Sequence, residues 1–152
     1  LPSQSSSRNA QRSYLQAVVR DDGFVIIKCF YYGSHAVRHP YITLRAQDVE
    51  LVLRGETHSF EAEGWHQITT IDDSTATHAL RFIDAYSQER IQVHYANETQ
   101  SGTIFYLSDS DKKDLLLSYQ LHTIMFDIKE LEKRIRTTSL QIEKYQKRLQ
   151  KK

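Results

Sequence analysis

Cysteine is almost absent: Cys29 is the only one in 152 residues. The chain therefore makes no internal disulfide and supplies no thiolate cluster for zinc, which points to a reducing compartment or at least to indifference to oxidation. Long apolar runs are missing as well. No stretch approaches the ~18 uninterrupted apolar residues of a spanning helix, and Leu1-Pro2-Ser3-Gln4-Ser5-Ser6-Ser7-Arg8 has none of the apolar core of a secretory leader. The expectation is an intracellular protein, nuclear or cytoplasmic, without a transmembrane segment. Asn97-Glu98-Thr99 matches the glycosylation acceptor pattern, but that tripeptide is common by chance. The five glycines are scattered, so no loop is rich enough in glycine to cradle a phosphate. No repeat with a period of about 20–50 residues is visible, which disfavours solenoids and propellers.

The formal net charge of +1 conceals a division. Residues 1–109 carry 13 acidic and 9 basic side chains, net −4, whereas residues 110–152 carry 6 acidic and 11 basic, net +5. An acidic body with a basic tail is the first organisational fact, and such tails meet polyanions or acidic protein surfaces.

The first dozen residues, rich in Ser, Gln, Asn and Arg, predict a disordered lead-in over 1–12. A head domain follows over 13–109, where short β-branched and aromatic runs alternate with turn formers, the pattern of antiparallel strands. Seven strands are predicted at Tyr14–Arg20, Phe24–Tyr32, Tyr41–Arg45, Val49–Arg54, His66–Ile71, Arg90–Ala96 and Thr103–Leu107, forming a sandwich or a barrel. Asp21-Asp22-Gly23, Gly33-Ser34, Arg54-Gly55-Glu56 and Asn97-Glu98-Thr99 supply turns. Ile91, Val93 and Tyr95 point to one face, and Gln92, His94 and Ala96 to the other. Phe24–Tyr32 is apolar on both faces, as a mid-sheet strand would be. Thr75–Tyr86 stays open between a helix capped by Ser74, carrying Leu80 and Ile83, and another strand.

The strand pattern stops at Ser108-Asp109-Ser110-Asp111. Ser108 with Asp111 three residues on approximates a capping box, and Asp109, Asp111 and Asp114 suit the positive end of a helix dipole. Neither Gly nor Pro occurs from there to Lys152. Apolar residues recur at Leu117, Leu121, Ile124, Ile128, Leu131, Ile135, Ile142, Tyr145 and Leu149, a heptad seam with Thr138 at one weak position. A 3.5-residue repeat held over about five heptads wraps a helix around a partner, and Ile at the a positions leans toward two parallel strands. The fold expected is thus a mainly β head followed by one long helix, 110–152, forming a parallel dimeric coiled coil. With no stop signal at Lys152, the helix is expected to continue beyond it. The competing expectation is an amphipathic helix laid back on its own sheet, against which the narrow stripe argues. Leu115, Leu116, Tyr119, Met125 and Phe126 widen the stripe near its start, so the first turns are expected to pack on the head.

Catalytic and metal-binding patterns are weak. Of seven histidines, His35 and His39 are closest, but Gly33 and Pro40 bracket them in a loop and no thiolate or carboxylate completes a site. His58, His66, His78 and His94 fall singly in presumed strands, and His122 on the rod's flank. Cys29 lies between Ile27 and Phe30 as a buried thiol would, and Asp21-Asp22 and Asp72-Asp73 lie in turns. No enzyme, metal or cofactor is expected. The tail offers Lys133, Arg134, Arg136, Lys144, Lys147, Arg148, Lys151 and Lys152 as contacts for DNA or an acidic partner. The alternative is that these cations are simply the solvated outer positions of a coiled coil.

Tyr14-Leu15-Gln16-Ala17-Val18-Val19, followed by Asp22-Gly23-Phe24-Val25-Ile26-Ile27, and the join from Gly102-Thr103-Ile104-Phe105-Tyr106-Leu107 into Leu115–Ile124, together span about a third of the chain. They resemble the first hairpin and the head-to-stalk join of the superfamily that unites the X-ray-repair cross-complementing end-joining scaffolds with the centriolar cartwheel protein. The heads of that superfamily carry a helix-turn-helix between strands, for which Gln47–Gly55 and Thr75–Tyr86 are the available segments. No counterpart of the cartwheel head-to-head motif is visible. The resemblance implies a non-enzymatic homodimeric scaffold whose stalk binds a partner protein or DNA, as in DNA end joining. The alternative is a coiled-coil adaptor, or a centriole or cytoskeletal assembly protein at the centrosome, whose head recognises a peptide or membrane headgroup.

Overall fold

The computed structural model describes residues 12–33, 38–96 and 101–151. The described residues form eight strands: β1 (Tyr14–Val19), β2 (Val25–Gly33), β3 (Tyr41–Ala46), β4 (Val49–Arg54), β5 (Glu56–Glu61), β6 (Trp65–Ile71), β7 (Gln92–Ala96) and β8 (Ser101–Tyr106). Among the described residues there are two helices, α1 (Asp73–Ala85) and α2 (Asp109–Gln150). The strands form two four-stranded antiparallel sheets, ordered β1-β2-β6-β5 and β4-β3-β7-β8. The head is therefore a sandwich and not a barrel, with one core between the sheets. Val25, Ile27 and Cys29 of β2 face Ile42 and Leu44 of β3 and Val93 and Tyr95 of β7 across it. β2 lies mid-sheet between β1 and β6, as its apolar run implies.

The core contains polar atoms, and nearly all are paired, since an unpaired one costs about 1–3 kcal/mol. The Tyr95 hydroxyl donates to the Phe30 carbonyl at 2.7 Å, and burial pushes its pKa well up. The Gln67 amide accepts from the His39 backbone N–H at 2.6 Å and donates to the His39 carbonyl at 2.9 Å.

The sequence pattern underestimates the strand count by one. In β5 only Thr57 turns appreciably inward, its hydroxyl 3.1 Å from that of Thr69; the other residues are polar and exposed apart from Phe60. An edge strand of that composition carries no apolar alternation to read. Arg54-Gly55-Glu56 is likewise no hairpin turn. Gly55 takes the chain from the edge of one sheet to the edge of the other, and a Cβ there would lie 2.3 Å from the Thr70 carbonyl oxygen. Asp21-Asp22-Gly23 does form the β1–β2 turn, with Gly23 at φ +86° and the Asp22 carboxylate accepting from the Phe24 N–H at 3.1 Å. The turns placed at Gly33-Ser34 and Asn97-Glu98-Thr99 lie wholly or partly outside the described residues, as does His35.

The segment left open resolves as helix: Ala76, Ala79, Leu80 and Ile83 occupy its buried face at helical spacing. Asp72 and not Ser74 is the N-cap residue, and His78 is an exposed helical residue, not a strand histidine. Asp73 accepts from the Val25 N–H at 2.9 Å, tying α1 to the start of β2. Gln47–Gly55 is a turn followed by β4, so a single helix stands between β6 and β7.

Candidate functional site

The root of α2 is fixed by its own capping chemistry. The Ser108 hydroxyl accepts from the Asp111 N–H at 3.0 Å, and the Asp111 carboxylate accepts from the Ser108 N–H at 3.3 Å, a complete capping box. Arg12, which composition assigns to the lead-in, donates to the same buried carboxylate at 3.1 Å. Lys112 is buried beside it, its ammonium donating to the Ser87 and Glu89 carbonyls just past α1. These ionic groups tie the helix to the head; of them, charge patterning offers only Asp111, as a partner of the helix dipole.

Farther along, α2 buries Leu115 and rests Leu116 and Tyr119 against the core, as their positions lead one to expect. His122 is not merely on the flank: its Nδ1 lies 2.6 Å from the Gly23 carbonyl oxygen, so the ring nitrogen donates to the β1–β2 turn. The helix then leaves the head, and every described residue from Leu131 on is exposed.

At about 100° per residue, the head-facing residues Leu115, Tyr119, His122 and Phe126 share one side of α2. Leu117, Leu121, Ile124, Ile128 and Leu131 share the opposite side. Every residue of the apolar seam remains about half exposed, from 49% for Leu121 to 63% for Tyr145. Ile135, Ile142 and Leu149 continue the exposed row toward the tip. The stripe is thus not laid on the molecule's own sheets, and the head leaves it unobstructed.

Lys133, Arg134, Arg136, Lys144, Lys147, Arg148 and Lys151 are all exposed, and none forms an ion pair among the described residues; Lys152 lies outside them. Lys133, Arg136, Lys144, Lys147 and Lys151 fall on the side away from the seam, whereas Arg134 and Arg148 flank it. Where that cationic side meets the head, a groove of about 530 Å³ opens between the β1–β2 turn, α1 and α2. Phe24, Tyr119 and Phe126 give it apolar walls, and Arg81, His122 and Lys129 line it too. Sequence reasoning missed this groove, because its walls come from segments about 100 residues apart.

Other candidates do not assemble into a reactive centre. Cys29 is fully buried, and desolvation pushes its thiol pKa far up, away from the reactive thiolate. His39 is buried, with neither ring nitrogen bonded, and burial pushes its pKa down. Among the described residues no three His, Cys, Asp or Glu side chains group as metal ligands would, and no helix is long and apolar enough to cross a membrane. No family model and no curated protein matches the chain.

Proposed function

We propose that this chain is a non-enzymatic scaffold that pairs through α2 as a parallel two-stranded coiled coil, holding two β heads at one end of a rod. One observation carries this: the apolar seam from Leu117 to Leu149 is exposed along its length and faces away from the head. A helix that only packed on its own sandwich would bury that stripe; here a different side of the helix does so. Fully burying a Leu or Ile side chain is worth about 1.5–3 kcal/mol, so a half-exposed row along ~50 Å of rod is a strong drive to associate.

Pairing leaves both heads outside the seam, and the cations at the outer positions face away from it. The mechanism is geometric. Two heads on one rod engage a partner together, and the second contact gains an effective concentration that linked sites of short reach place in the millimolar range. The partner is a protein or DNA, taken up by the heads and the outward cationic faces, as the resemblance to the end-joining and cartwheel scaffolds implies. Sedimentation equilibrium of the whole chain at tens of micromolar tests the pairing. Twice the chain mass of 17.8 kDa is the expected result, and a single chain mass would refute it.

A further inference from the structure

The outward side of α2 is not uniformly charged. Phe126, Lys129, Lys133, Arg136, Leu140, Lys144, Lys147 and Lys151 recur at intervals of 3 or 4 and form one stripe. Two large apolar side chains sit in it, Phe126 at 56% and Leu140 at 59% exposure, though neither belongs to the seam or to the core. At its head end the stripe enters the groove, where Phe24, itself half exposed, stands on the wall opposite Phe126.

Within the groove Arg81 and Lys129 balance Asp73 and Glu130, and the cationic excess lies along the rest of the stripe, at Lys133, Arg136, Lys144, Lys147 and Lys151. Of the groove's carboxylates, Asp22 is paired with Arg20 at 2.9 Å and Asp73 accepts from the Val25 N–H. Glu130 alone is uncommitted. Arg81 and Lys129 form no ion pair among the described residues, and neither do the stripe's other cations.

We infer that this groove and stripe form a docking site for an acidic amphipathic helix of a protein partner, its apolar side chains seated on Phe24, Phe126 and Leu140 and its carboxylates on the intervening lysines and arginine. Helical recognition of this kind reads anchors at 3- and 4-residue spacing, which is how the stripe presents them. Duplex DNA is the competing occupant for a row of cations, but a phosphate backbone has no use for a phenylalanine and a leucine set among them. The inference rests on the scaffold reading in one respect: the opposite side of α2 is taken up by the twin chain.

The test uses the whole chain and a fluorescent synthetic helix of about 20 residues, ~30 Å long, with leucines at 3- and 4-residue spacing flanked by glutamates. A duplex of equal negative charge is the comparison probe. Anisotropy is read at roughly 0.15 M salt, with sedimentation of each variant alongside. The peptide should bind, Phe126→Ala with Leu140→Ala should weaken it about tenfold or more, and Lys133→Glu with Lys144→Glu should abolish it. None of these changes should alter the mass. DNA binding tighter than peptide binding, or peptide binding indifferent to Phe126 and Leu140, would overturn the inference, as would no peptide binding by a dimer. A monomer that binds the peptide would overturn the scaffold reading instead and leave this site standing.

Discussion

Replacing Ile128 and Ile135 together by aspartate should convert the dimer to folded monomers. Each isoleucine is about half exposed in the single chain, 50% and 57%, so pairing completes a burial that is only half made. With full burial worth about 1.5–3 kcal/mol, the remaining half is ~1 kcal/mol per side chain. Both positions occur twice in a two-chain coil, so four such contributions, ~4 kcal/mol, disappear. The aspartates add a cost of their own, because like charges would meet in the seam after losing water, at least ~1 kcal/mol for each of four carboxylates. The sum, ~8 kcal/mol, weakens association by a factor on the order of 10⁵ or more at 1.4 kcal/mol per tenfold. Light scattering coupled to gel filtration reads the mass. Emission from Trp65, the only tryptophan and a β6 residue, reports whether the head stays folded. A variant that remained a dimer at micromolar concentration, or lost the head's fold together with the dimer, would refute the assignment of the seam to a twin.

Three further outcomes concern the head. Ser108→Ala removes the oxygen that receives the Asp111 N–H and should cost about 1 kcal/mol of stability in urea unfolding. Gly55→Ala forces a Cβ to within 2.3 Å of the Thr70 carbonyl, so the crossing between sheets must shift; a loss of about 1–3 kcal/mol is expected, and an unchanged midpoint would contradict the close approach. His39 titrates in the acid direction. Burial lowers its folded pKa below the ordinary 6.5, so below that value the unfolded chain binds the proton first. The stability it contributes is full above pH about 6.5 and is lost as pH falls toward the depressed value. His39→Phe should flatten that part of the pH profile of the thermal midpoint.

What the sequence discloses follows what it writes locally. Strands written as an alternating pattern, such as β4 and β7, or as a continuous apolar run, β2, are legible to within a residue or two, and the start of α2 is legible in detail because the capping box is a local motif. β5 escapes because its one inward-turned residue, Thr57, is polar. α1 stays ambiguous because two of its five buried residues are alanine, which a scan for large apolar residues passes over. Long-range facts were not readable at all. Nothing near Asp111 announces that Arg12 meets it, and nothing near Gly23 announces the His122 imidazole. The groove belongs to the same class, assembled from a turn and two helices that only the tertiary structure brings together. The seam itself was plain as a period, and its position opposite the head contacts came only with the fold.

The most direct measurement uses the burial of Cys29 as a silent background, since a buried thiol with a raised pKa does not compete for oxidant. Leu131→Cys and Ile124→Cys, made separately, each put one thiol in the seam, and a disulfide forms only when Cα atoms approach to about 4.4–6.8 Å. Parallel, in-register pairing brings each position against its own copy, so both variants should run as covalent dimers on a non-reducing gel after mild oxidation, while the unaltered chain stays single. Neither variant cross-linking would contradict pairing through this seam, and cross-linking only when the two are mixed would contradict its parallel sense.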